Sequence, residues 1–248
     1  MTANPEDHDP AALASRTLPR VDSATRRLLA TAASLTDQQA RDASLLPGWT
    51  RGHVLTHLAR NADSLRNLLI WARTGVVTPQ YPSAAARDAD IEAGAGRPAA
   101  ELLDDLQTSA AALGAEASAL TDANWSAEVR GMRGRPHPAC FTLERRLTEV
   151  EVHHVDLDAG YGPANWPAGF AAELLARVAG DFSEPDCPAA LLRCSDSGRG
   201  QRIGPPGTPP AVEISGPTAD LLAWLIGRSD GTGLTAVPAG PLPPLPPW

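Results

Sequence analysis

Several things are scarce in this 248-residue chain, and each scarcity removes a class of function. No apolar run is long enough to cross a bilayer, and the first residues, Met1-Thr2-Ala3-Asn4-Pro5-Glu6-Asp7-His8-Asp9-Pro10, are acidic and polar rather than a basic region followed by an apolar stretch. A cytoplasmic protein is expected. There are only three cysteines, Cys140, Cys187 and Cys194, with no CxxC pair, so neither a disulfide scaffold nor a thiolate metal site is indicated. Basic residues are outnumbered, 21 to 29, and the net charge of -8 argues against a nucleic-acid surface or an anionic membrane as partner. No glycine-rich cofactor loop, repeat array or coiled-coil heptad is found. Small molecules remain as the natural partners.

What the chain does contain is a set of amphipathic helical segments. After a Pro-rich, charged stretch of about twenty residues, read as a loose tail with a short docking segment, Val21 to Leu35 has helical periodicity, and Thr36-Asp37 is suited to cap a short turn. Thr50 is a good N-cap for a helix over residues 51–74, with Gly75 as its stop and Val54, Leu58, Leu65, Leu69 and Ala72 as its apolar face. The long connection from Val76 to Pro98 is expected to be functional or partly helical. A third helix is predicted over residues 99–120, a hairpin-like excursion over 121–140, and a fourth helix from Thr142 or Leu143 to Ala159-Gly160. Four such helices make a bundle that can hold a site between facing members.

Beyond Gly160 the pattern changes to that of a small α+β domain. A helix is predicted near Phe170 to Val178, a hairpin from Ala189–Cys194 and Gln201–Ile203, a strand over Ala211–Gly216, and a helix over Ala219–Gly227 capped by Thr218. Prolines at 238, 241, 243, 244, 246 and 247 mark an extended strap. The expected fold class is α+β, with a bundle domain over residues 1–165 and a smaller α/β domain over 166–248.

The chemistry-bearing residues sit in the bundle. His53 and His57 are one helical turn apart, and Glu149-Val150-Glu151-Val152-His153-His154 offers a carboxylate and imidazoles on a second helix. Two imidazoles and a carboxylate suit zinc and leave a fourth position open, the arrangement of a catalytic rather than a structural ion. His57 lies at the edge of the apolar stripe and is the better-buried candidate, whereas His53 sits further round. On the second helix, His154 is nearer the centre of the stripe but only His153 has Glu149 at i−4; periodicity leaves these two open.

The segments Gly48-Trp49-Thr50-Arg51-x-His53-x-x-x-His57, Asn61-Ala62, Trp71-Ala72-x-Thr74-Gly75, Thr78-Pro79-x-Tyr81, Glu149-x-x-x-His153-x-Val155-Asp156-Leu157 and Gly227-Arg228-x-Asp230-Gly231 resemble the mycothiol-dependent maleylpyruvate isomerases. The resemblance extends over most of the chain. It implies a DinB-like four-helix bundle followed by the smaller α/β domain, and zinc held by His57, Glu149 and His153. It further implies mycothiol as thiol cosubstrate and cis–trans isomerisation of maleylpyruvate to fumarylpyruvate in gentisate breakdown. Arg87 and Arg228 resemble arginine positions of the family and are expected to meet the substrate's carboxylates. Glu151 and His154 depart from the family pattern beside the ExxxH pair, which leaves mycothiol S-transfer to another electrophile as the alternative activity. A metal-stabilised binding module without turnover is the third reading, and the lack of a fourth obvious protein ligand argues against it. The expected state is a monomer.

Overall fold

The computed structural model describes residues 9–132 and 134–248, and the chain divides into two compact units, the first ending at Tyr161 and the second spanning Gly162–Trp248. The break precedes the expected 165/166 boundary because the short 3-10 turn Pro163–Asn165 packs with a helix of the second unit.

The first unit is a bundle of α1 (Pro10–Ala33), α3 (Arg51–Thr74), α5 (Ala99–Ser118) and α7 (Phe141–Asp156), each packed on two others around a ring: α3 on α5 and α7, α1 on α7 and α5. Two short helices, α2 (Asp37–Arg41) and α4 (Ala84–Ala95), interrupt the connections on either side of α3, and α6 (Asp122–Trp125) leads into a small hairpin of β1 (Glu128–Val129) and β2 (His137–Pro138). Leu28, Val54, Leu58, Leu65, Leu69, Leu102, Leu106, Leu143 and Val150 are among the buried residues that fill the bundle.

The expected loose tail is corrected. Residues 1–8 lie outside the described residues, but from Pro10 onward the chain is helical. Asp9 caps this helix by accepting a hydrogen bond from Ala11 N at 2.9 Å, and Pro10 occupies the first turn, where its missing N–H costs nothing. Pro19, which reads as a breaker, is carried inside α1 because Ala14, Thr17, Val21 and Ala24 are buried in the bundle. Burial of one face outweighs the lost backbone hydrogen bond.

The helix that carries His57 has sharp ends. Thr50 Oγ1 accepts from His53 N, and Thr50 N donates to His53 Nδ1 at 3.1 Å, a reciprocal capping arrangement. At the other end Gly75 adopts φ +72° and its N–H returns to Trp71 O. The long connection after α3 turns helical as α4, with Ser83 as its N-cap. Gly52 allows this: a Cβ there would lie 2.1 Å from Ala95 O in α4. Gly52→Ala is therefore expected to push α4 off α3 at a cost of about 1–3 kcal/mol. Thermal unfolding should show Tm lowered by roughly 2–12 °C; an unchanged Tm would contradict the close approach.

The second unit has a four-stranded sheet ordered β4 (Gly200–Ile203), β3 (Ala190–Cys194), β5 (Val212–Gly216) and β6 (Thr235–Val237). The β3–β5 pair is parallel, with Leu192 opposite Ile214, and the other pairs are antiparallel. Helices α8 (Ala168–Asp181) and α9 (Thr218–Leu225) pack on it and on each other. Thr218 is not the cap that the sequence suggests. It is the first helical residue, and its hydroxyl and N–H both donate to the Asp196 carboxylate. Just ahead of the Pro-rich strap the chain adds β6, a strand that the sequence does not predict, and at the strap's end Trp248 Nε1 donates to Asp181 Oδ2 at 3.2 Å. The three cysteines are buried and unbridged. Among the described residues no helix is long and apolar enough to cross a membrane.

Candidate metal centre

Helices α3 and α7 face one another, and their pairing brings His57 and Glu149 together across 92 residues of chain. His57 Nε2 and Glu149 Oε2 are 3.0 Å apart, and His153 Nε2 lies 3.3 Å from the same oxygen. Ligand-type atoms of His57, Glu149 and His153 all fall within 4.8 Å of one another. His57 is 4% exposed, while Glu149 and His153 are partly open. A tetrahedral ion with bonds of about 2.1 Å holds its ligand atoms roughly 3.4 Å apart. The two histidine–glutamate separations match that spacing, and the donor types, two imidazole nitrogens and one carboxylate oxygen, fit zinc's preferences.

The ring pose of each imidazole has a local cause. His153 Nδ1 is 2.8 Å from Oδ2 of the fully buried Asp156, so its Nε2 faces Glu149. Burial alone would lower the pKa of His153, but hydrogen bonds to Asp156 and Glu149 raise it to about 9. Burial has the upper hand at His57, whose pKa is lowered despite the hydrogen bond to Glu149. At Glu149 burial opposes ionisation, and the hydrogen bonds of His153 and His57 overcome it, holding the carboxyl well below its ordinary value. Glu149 is thus held as a carboxylate.

Asp156 is the orienting carboxylate of a carboxylate–histidine pair, a partner type that fixes the tautomer of a ligating histidine. The sequence reading gave it no role, although its i+3 spacing from His153 places both on one helix face. Asp156→Asn is expected to weaken metal binding about 10- to 100-fold with the fold retained. Titration of the metal against a chromophoric chelator reads this directly, and unchanged affinity would remove Asp156 from the centre.

The other sequence candidates separate clearly. His53 is committed to the start of α3 through its Nδ1, and its Nε2 lies 3.2 Å from Glu92 Oε2 on α4. His154, left open by periodicity, points to α1: its Nε2 is 2.8 Å from Thr31 Oγ1, and its ring stacks on Tyr161 at 3.7 Å. Burial and the nearby Arg27 lower its pKa to about 4. Glu151 also turns to α1, accepting from Arg27 and from the Tyr161 hydroxyl. Both departures from the family pattern are therefore absorbed by a cluster with α1.

Arg87, in the first turns of α4, reaches the triad. Its Nη2 is 3.3 Å from His57 Nδ1 and its Nη1 donates to Asp88 at 2.7 Å. Trp49 closes another side, its ring edge-on to His57 with centroids 5.6 Å apart. Tyr81 stands near Arg87 and Glu149, and burial raises its pKa. Arg228 belongs to the second unit, where its Nη1 donates to Ile226 O at 2.9 Å just after α9.

Comparison with known proteins adds the following. Residues 21–158 match the family described as mycothiol maleylpyruvate isomerase N-terminal domain, and residues 165–247 match the MDMPI C-terminal domain. Among solved structures, the chain is similar to the crystal structure of the mycothiol-dependent maleylpyruvate isomerase, with 29% identity over 95% of this chain and 97% of that one and a TM-score of 0.88. A histidine-to-alanine mutant of that enzyme gives the same identity, coverage and TM-score. No curated protein matches the chain.

Proposed function

The chain belongs to the mycothiol maleylpyruvate isomerase family, and from that membership we propose that it is a zinc- and mycothiol-dependent cis–trans isomerase converting maleylpyruvate to fumarylpyruvate. The observation that carries the reading is the convergence of His57, Glu149 and His153 between α3 and α7. These three side chains would hold the ion, leaving a fourth position on their open side. When bound there, zinc supplies positive charge that favours the thiolate form of mycothiol at neutral pH.

The reaction conserves atoms and electrons. The thiolate forms a sulfur–carbon bond at the conjugated alkene while the alkene's π pair moves to the carbonyl as an enolate. Rotation about the new single bond follows, the pair returns, the trans alkene forms and the thiolate leaves. The protein's own part is to orient and to stabilise charge. Asp156 holds the His153 ring in place, Trp49 covers the His57 ring, and Arg87 supplies a planar cationic fork beside the triad for the substrate carboxylate or the developing enolate.

The cosubstrate should come through the reaction unconsumed. Incubating the protein with maleylpyruvate and substoichiometric mycothiol, and following both by NMR, is expected to show full conversion with the thiol regenerated. A thioether accumulating one-for-one with mycothiol would instead establish the S-transferase. No feature of the site favours that alternative, since Glu151 and His154 face α1.

We keep Arg228 as a second carboxylate receptor on the strength of the family resemblance. Arg228→Ala is expected to raise KM for the dicarboxylate about ten- to a hundredfold, the worth of one charged hydrogen-bonding partner, with metal content unchanged. Unaltered kinetics would remove it from the reaction. A monomer working in the cytoplasm completes the reading.

A further inference from the structure

One turn below the metal ligands lies a charge that the reaction scheme leaves unused. Arg146 precedes Glu149 by three residues on α7, is 1% exposed, and crosses to α3, where its Nη1 donates to Leu58 O and to Asn61 Oδ1, both at 2.8 Å. Leu58 adjoins His57, and Asn61 is one turn beyond it. Nη2 is buried and has no hydrogen-bond partner among the described residues. A cavity of about 280 Å³ borders Arg146 between α1 and α5, but its walls are mainly Leu, Val and Ala.

A guanidinium is costly to bury, and an apolar layer of similar volume commonly serves a bundle as well or better. Stability alone is a poor reason for this one. Its location suggests another. On the far side of the ligands, Arg51 at the start of α3 donates through Nε to Leu157 O at 2.6 Å and through Nη2 to Asp158 O at 3.0 Å, just past the end of α7. The layer of His57, Glu149 and His153 is thus bracketed by two arginine clamps between the same helices. Glu149 engages both imidazoles through Oε2, leaving Oε1 on the same side chain. Burial lowers the Arg146 pKa to about 10, against the attraction of Glu149, Tyr81 and Asp63, so the group stays charged beside that carboxylate.

We propose that Arg146 is the positioning residue of the metal centre: by tying α7 to Leu58 O and Asn61 Oδ1 of α3 it fixes the spacing of the two helices one turn beneath the ligands, and with it the separation of His57 from Glu149. This inference rests on the triad being a metal site. Arg146 touches no substrate in it, and acts through Glu149 and His57.

The test uses the full chain, zinc and cobalt(II). Zinc affinity is measured by chelator competition for the wild type, Arg146→Met, and the double variant Arg146→Met/Asn61→Leu, which also removes the orphaned amide and leaves an apolar layer. Leu143→Ala, a core truncation on the same helix, serves as the control for general loosening. The expected result is zinc binding weakened about 10- to 100-fold in both Arg146 variants, with the double variant retaining cooperative unfolding. The visible spectrum of its cobalt form should shift as the separation of the His57 and Glu149 donors changes. Leu143→Ala should bind zinc as the wild type does. Wild-type affinity in a folded double variant, or equal weakening by Leu143→Ala, would overturn the proposal. Failure of the wild type itself to bind zinc would instead overturn the reading of the triad.

Discussion

A His57→Ala variant is expected to emerge from purification without its metal and with thiol-dependent turnover reduced at least a thousandfold, about 4 kcal/mol of lost transition-state stabilisation. The expectation follows from where His57 stands. It is the most buried of the three donors, it contacts the same Glu149 oxygen as His153, and its ring is packed edge-on against both Trp49 and the His153 ring. Alanine removes one donor of three and leaves a void that no neighbouring imidazole fills. The decisive control is His53→Ala. His53 differs by one turn and caps α3, so its loss should cost about 1 kcal/mol of stability and leave the metal in place. Metal content after gel filtration, with circular dichroism to confirm the fold, separates the two. Equal zinc in His57→Ala and wild type would refute the ligand assignment.

Arg87→Met should retain the metal yet lose about 10²–10³ in kcat/KM, the typical worth of a preorganised donor to developing negative charge. His57's two ring nitrogens are the reason. In the structure Arg87 Nη2 donates to Nδ1, which leaves the ring proton on Nε2, facing Glu149. A cation on Nε2 requires the opposite tautomer, with the proton on Nδ1. Arg87 then has no acceptor on the ring, and its Nη2 must turn to another. A substrate carboxylate or enolate oxygen beside the triad is the acceptor the reaction supplies. Steady-state kinetics on zinc-loaded Arg87→Met test this, and wild-type kcat/KM would contradict it.

How much of this was legible in the sequence depends on the range of the interaction. The ends of α3 are written locally, in Thr50 and Gly75, and the structure has them at those residues. The preference for His57 over His53 was also local, because a position on the apolar stripe decides which side chain is buried. The start of α1 was missed for a comparable reason in reverse: Pro10 and Pro19 read as disorder when local propensity is weighed without the tertiary burial of Ala14, Thr17 and Val21. The choice between His153 and His154 needed more than a helical wheel. His154 is indeed buried, but against Thr31 and Tyr161, contacts that lie 123 and 7 residues away and have no periodic signature. Arg146 shows the same limit. The sequence carries no signal for its placement, which only the Leu58 and Asn61 contacts across the bundle reveal. In the second unit, β3 and β5 were each recognisable as apolar runs, whereas their parallel pairing and the addition of β6 come from the sheet as a whole.

A thiol and a metal acting together on a cis alkene define the chemistry proposed for this enzyme. The measurement is the initial rate of maleylpyruvate conversion by zinc-loaded protein, followed by the absorbance change of the cis-to-trans step, with mycothiol, without it, and after chelation. Turnover that requires the thiol, disappears with the chelator and returns on adding zinc is the predicted result. Isomerisation that proceeds equally without mycothiol, or that survives complete removal of the metal, would contradict it.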